Sequence, residues 1–147
     1  MTISRTIPLL ARCLLGGIFV VFGLNYFLHF IPMPPPQGAA GEFIGALHNS
    51  GYLMELVHAL EVVCGIALIA NRFAPLALAV LAPIIVNIVA FHLRFAPSGL
   101  PLAALLLVLE VYLAWAYRSA FLPMLHAHVD PTPRGVHAAP HQHVHVH

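Results

Sequence analysis

The sequence predicts an all-α protein: a four-transmembrane-helix bundle with an extended Pro-rich outer loop, a short interfacial helix and a disordered His-rich tail. Three observations carry this expectation. Of the 147 residues 61% are apolar and 7% charged, and a water-soluble domain would need roughly 25% charged residues to coat its surface. The apolar residues fall in long runs interrupted by Pro, Gly and Asn-Arg breaks. After about residue 122 the composition turns polar and proline-broken. At ~20 apolar residues per crossing, residues 1–122 hold about four spans and no extramembrane domain, and 123–147 form the tail.

Span one occupies about residues 9–30. Its apolar run from Cys13 to Ile31, broken only by Asn25 and His29, exceeds the ~7–15-residue core of a cleavable signal peptide, so it reads as a signal-anchor. The stretch IPMPPPQG that follows must leave the helix, because consecutive prolines remove backbone donors and push their predecessors out of helical conformation. GEFIGALHN, Gly41 to Asn49, places Phe43, Ile44 and Leu47 at helical spacing but is too short to cross, and reads as an interfacial helix, a lid or cap. Span two (about 52–70) ends at Asn71-Arg72, span three (73–95) at Pro97-Ser98-Gly99, and span four covers 100–117. Spans joined by such short turns are antiparallel neighbours.

Arginine placement orients the bundle. Arg5, Arg12, Arg72, Arg118 and Arg134 fall on one side and Arg94 alone on the other, which puts both termini on the cytoplasmic side. Arg12, about one turn inside span one, is expected to snorkel to the inner headgroups. Gly16, Gly17 and Gly23 on span one, with Ala59 and Gly65 on span two, read as close-packing surfaces.

An ionisable side chain in hydrocarbon costs about 2.5 kcal/mol or more, so each needs a partner or a purpose. At ~1.5 Å per residue, His29 and His92 lie at the outer rim, Glu55 roughly 6 Å in, Asn25, His58 and Asn87 roughly 8–10 Å in, and Glu61 and Glu110 roughly 15 Å in. Glu55, His58 and Glu61 step by three residues along one side of span two, which should face the bundle interior. Asn87 and His92 are five residues apart, so Asn87 is expected inward and His92 at the interface. Two readings stay open. In one, Glu61 and Glu110 hydrogen-bond to Asn87, Asn25 and His58 and glue the spans together. In the other, Asn25, Glu55, His58, Glu61, Asn87, His92 and Glu110 line an outward-opening cavity that binds a ligand headgroup, with Glu61 and Glu110 exchanging protons.

Other chemistries have less support. Glu55-x-x-His58 is half of the di-iron helical motif, but no second copy occurs. Cys13 and Cys64 lie at similar depth, where buried packing cysteine is commoner than a redox dithiol, and neither has CxxC spacing. The tail histidines His141, His143, His145 and His147 are able to chelate Zn²⁺, Ni²⁺ or Cu²⁺, as His-rich tails do in general. No basic surface suits nucleic acid, and no haem pair, flavin fingerprint or dinucleotide motif occurs. The chain therefore does not read as a self-sufficient enzyme.

Over about residues 9–122 the sequence resembles the DoxX/DoxD-like family of small four-helix bacterial membrane proteins. The blocks that carry the resemblance are LLGGIFVVFGLNYFLHF, EVVCGIALIANRFAPLAL, PIIVNIVAFHLRFAPSGL and LEVYLAWAYR, and the FIPMPPP loop is similar to that of a particular DoxX-like subgroup. Cys64 stands where many relatives have a small residue, and the tail lies outside the resemblance. The resemblance implies a multi-pass protein of the bacterial plasma membrane. It also implies a link to membrane redox chemistry, as a subunit of a quinone-reducing thiosulfate oxidoreductase or as a partner of oxidative-stress enzymes. Glu61, Asn87 and His92 share the family's pattern.

The expected function is thus a subunit or accessory of a quinone-linked redox system, with a quinone as ligand and a partner protein supplying electrons. Two alternatives are a non-enzymatic scaffold or assembly factor, and a small proton-coupled carrier that would have to oligomerise.

Overall fold

A computed structural model of the chain describes residues 3–128, and within them every regular element is helical. The α-helices are α1 (Ile3–Leu28), α2 (Gly38–Asn49), α3 (Leu53–Ile69), α4 (Ala74–Arg94), α5 (Leu100–Ala116) and the single turn α6 (Arg118–Phe121), with 3-10 turns at Pro97–Gly99 and Leu122–Leu125. The tail histidines His141, His143, His145 and His147 lie outside the described residues.

Each helix ends where its sequence forces it to. α1 stops at Leu28, short of the proline stretch, because His29 takes a left-handed conformation (φ 52°) while its N–H still donates to the Asn25 carbonyl at 2.9 Å. Residues 32–37 then carry no regular structure, as the missing proline donors require. Between α3 and α4 the chain reverses through Asn71 and Phe73, both left-handed at φ 53° and 56°. Pro75 follows in the first turn of α4, where an absent N–H costs nothing.

α1, α4 and α5 with its leading turn are long and apolar enough to cross a membrane. α3, at 17 residues, qualifies only together with α2 as a bent pair, which makes three spans, or up to four. The two members of that pair meet at 88°, so α2 lies across the end of α3. Phe43 of α2 stacks on Phe95 (5.5 Å, 24°) and packs against Phe91 (5.8 Å), which pins α2 to the end of α4.

The four long helices pack in a ring, α1 against α3, α3 against α4, α4 against α5 and α5 against α1. Leu15, Leu68, Leu78, Leu81, Ile85 and Leu113 fill its centre and are fully buried. Outward-facing aliphatics such as Leu10, Val63, Leu76, Val86, Leu93, Val108 and Val111 are each at least 60% exposed. Apolar surface this extensive on every side is tolerated against lipid rather than water.

The tightest contact joins α1 and α3. A Cβ on Gly16 would meet the Gly65 carbonyl at 2.6 Å, and one on Gly65 would meet the Gly16 carbonyl at 2.7 Å, so the two backbones touch at these positions. Gly23, two turns further along α1, packs on the His58 carbonyl and the Glu61 Cβ, which fixes an antiparallel register and the depth of the α3 polar residues. Gly17 and Ala59 do not share this seam: nothing lies within 4 Å of a Cβ at Gly17, and Ala59 is exposed.

Arg12 departs from expectation. It is 8% exposed and does not snorkel; its Nη1 donates to the Tyr117 hydroxyl at 3.1 Å, which donates in turn to Asn71 Oδ1 at 3.0 Å. Three parts of the chain are thereby tied at the end of the bundle opposite α2.

Candidate functional site

The polar residues gather at the α2 end, on α3. His58 Nδ1 lies 2.7 Å from Glu61 Oε2, and the pair is largely buried, with His58 20% and Glu61 7% exposed. The spacing of three residues puts both side chains on one side of the helix, and the close approach of Gly23 behind them holds that side against α1. One proton between carboxyl and imidazole satisfies both groups, and an imidazole that gains a proton at one nitrogen can release one from the other.

The pair forms part of the wall of a cavity of about 280 Å³ under α2. Phe43, Ile44 and Leu47 of α2 roof it, Leu53, Met54 and Val57 of α3 line one side, and Ile84, Ile88 and Phe91 of α4 the other. Asn87 and His92 supply its remaining polar groups. Apolar walls with a few convergent polar groups are the usual form of a small-molecule site.

The lining corrects the expected division of labour on span three: Asn87, expected inward, is exposed, His92, expected at the interface, is half-buried, and both border the same cavity. His92 is the more constrained. Its Nδ1 is 2.8 Å from the Ile88 carbonyl, so that nitrogen carries the proton and donates. Its ring rests on Gly99, where any Cβ would collide with it.

Glu55 is exposed at the rim instead of facing inward with His58 and Glu61. Its Oε1 accepts from the Tyr26 hydroxyl at 3.0 Å, and the same hydroxyl lies 3.1 Å from His48 Nδ1 on α2. The Tyr26 ring lies flat on the His58 imidazole, with centroids 4.3 Å apart. Tyr26 therefore links α1, α2 and α3 directly behind the buried pair. As a sequence position it reads only as an interfacial aromatic, because its partners are 22 and 29 residues away.

Asn25 is committed elsewhere. Its Oδ1 accepts from the Ile31 N–H at 2.6 Å and its Nδ2 donates to the Ile31 carbonyl at 3.1 Å, so both ends of the amide fasten the proline segment to α1. Asn25, Tyr26, His29 and His58 border a second recess of about 190 Å³ beside that segment.

Glu110 is buried in α5, and its Oε2 has no hydrogen-bond partner. It is not among the residues lining the cavity under α2, and Glu61 bonds His58, not Glu110, Asn87 or Asn25. Cys13 and Cys64 are both free thiols, and Cys64 lines an apolar recess between α3 and α4. Among the described residues no three His, Cys, Asp or Glu side chains converge as a metal site.

Neither a curated relative nor a solved structure matches the chain. The sequence profile of the DoxX family matches residues 7–94, a stretch that contains α2, α3, α4 and all four polar residues of the cavity and stops before Glu110. With more than half of its length matched and helices apolar enough to cross a bilayer, the chain is an integral membrane protein and belongs to the DoxX family.

Proposed function

We propose that the cavity under α2 binds the headgroup of a membrane quinone and that the protein serves as a subunit or accessory of a quinone-linked redox system. One observation carries this reading: the His58–Glu61 pair, 2.7 Å apart, sits in the wall of an otherwise apolar cavity of about 280 Å³. The cavity is of the size and polarity that accept a small planar ring, and the pair offers that ring one hydrogen-bonding and proton-exchanging contact.

Reduction of a quinone to its quinol consumes two electrons and two protons. The Glu61–His58 pair delivers one proton to the ring oxygen that reaches it, the other ring oxygen takes its proton from water at the open side of the cavity, and Asn87 orients the ring from α4. The electrons come from a partner protein, since the sequence carries no haem pair, flavin fingerprint or dinucleotide motif.

In this reading the protein lies in the bacterial plasma membrane with four spans. α3 crosses with its 17 residues, about 25 Å at ~1.5 Å each. Arg12, Arg72 and Arg118 cluster at the end opposite α2, so that end is cytoplasmic and the cavity opens outward.

The test is quinone binding by protein purified into lipid nanodiscs. Wild type should bind decylubiquinone and His58→Leu should bind it roughly tenfold or more weakly, a loss of about 1.4 kcal/mol. Equal binding by both would remove the quinone assignment and leave the buried pair as interhelical glue in a scaffold.

A further inference from the structure

The geometry points to a ligand with a long hydrocarbon tail that runs down the α3–α4 seam, so that the cavity under α2 is only the upper half of one amphiphile site. The inference rests on that cavity taking a polar headgroup and goes on to name the class of molecule attached to it.

Two separate hollows lie on the same seam. The lower one, of about 270 Å³, is lined by Leu60, Val63, Cys64 and Ala67 of α3 and by Phe73, Leu76, Ala77 and Val80 of α4. It begins where the upper cavity ends. On α3, Leu53 and Val57 above are followed by Leu60, Cys64 and Ala67 below, steps of four, three, four and three residues that trace a single stripe. On α4, Phe91, Ile88 and Ile84 above are followed by Val80, Ala77 and Phe73 below, again in steps of three and four. The two stripes face each other along one interface.

Polarity along the seam is one-sided. His58, Glu61, Asn87 and His92 all lie in the upper hollow, and the lower one is bordered by apolar side chains and the Cys64 thiol. From Met54 to Ala67 the seam is about 20 Å long at ~1.5 Å per residue. A molecule that fills it needs a polar ring at one end and a flexible apolar chain at the other. A water-soluble ligand would leave the lower half unused.

The α1–α3 contact shows that this space is not a general feature of the bundle. There the backbones touch at Gly16 and Gly65, whereas on its other side α3 meets α4 across side chains with a hollow between them. Rim residues Val63 and Leu76 are 64% and 62% exposed, so the lower hollow opens toward lipid and a tail enters sideways without crossing water.

Ala67 lines the lower hollow and no part of the upper one, so a larger side chain there fills the tail's space and leaves the headgroup cavity intact. Protein in lipid nanodiscs is titrated with decylubiquinone, which has a saturated tail, and with duroquinone, whose ring carries only methyl groups. Decylubiquinone should bind roughly tenfold or more tightly than duroquinone. Ala67→Phe, which fills the lower hollow, should weaken decylubiquinone and spare duroquinone. If both quinones bind equally, or if Ala67→Phe weakens decylubiquinone no more than duroquinone, the tail does not occupy the seam, although the headgroup assignment stands. If neither binds, the headgroup assignment and the seam inference fall together.

Discussion

The Tyr26 ring lies parallel to the His58 imidazole, 4.3 Å between centroids and 23° between planes, while its hydroxyl reaches Glu55 and His48. One side chain of α1 thus covers the buried His58–Glu61 pair and fastens the helix that roofs the cavity. Replacing Tyr26 with Phe keeps the ring and removes both hydroxyl contacts. We expect a stability loss of about 1 kcal/mol, the net worth of such hydrogen bonds. Hydrogen exchange should quicken over residues 38–49 and stay unchanged in α4 and α5; uniform exchange across the bundle would show that Tyr26 does not hold α2.

The glycine seam gives a paired prediction at two glycines, Gly65 inside it and Gly17 outside it. Gly65→Ala places a methyl group against the Gly16 carbonyl and should cost about 1–3 kcal/mol through overpacking. Gly17→Ala meets nothing and should be neutral or stabilising by up to ~1 kcal/mol from helix propensity. Unfolding in mixed micelles measures both, and equal effects would place the α1–α3 crossing elsewhere.

At the opposite end, Tyr117→Phe cuts the hydroxyl link between Arg12 and Asn71. Arg12 is buried and its Nε already lacks a partner, so losing the Nη1 acceptor should cost about 1–3 kcal/mol. The loss should not depend on added quinone, because this link lies at the far end from the cavity. A quinone-dependent loss would mean that the two ends are coupled.

Glu110→Leu removes a buried carboxyl oxygen that has no partner. Replacing such a group by an apolar side chain of similar size should leave stability equal or higher, and quinone affinity should stay within about threefold of wild type. A marked drop in affinity would bring Glu110 back into the ligand site.

The legible features were those set by local chemistry. Composition and the run lengths gave the helices and the bilayer, and a stretch with four prolines among Pro32 to Pro36 could not continue α1. The i, i+3 spacing of His58 and Glu61 placed them on one side of span two, where the structure pairs them. What escaped depends on partners distant in sequence. Arg12 looked like a snorkelling residue because its acceptor, Tyr117, is 105 residues away. Asn25 looked like a bundle-facing amide, yet the backbone reversal at His29 brings Ile31 onto it. Glu55 shares its three-residue step with His58 and Glu61, but it lies one turn nearer the end of α3, where the helix meets water and Tyr26. Helical phase set the direction of each side chain and left open what stood opposite.

The central claim is that Glu61 serves a bound quinone and not the bundle alone. Native mass spectrometry of gently extracted wild-type protein and of Glu61→Gln tests it directly, because glutamine keeps the shape and a hydrogen bond to His58 while removing the ionisable proton. Wild type should carry a co-purifying quinone that the variant has lost, with both proteins folded and equally helical. A quinone retained by Glu61→Gln, or absent from both while a protein partner stays bound to each, would contradict the account and make the buried pair structural.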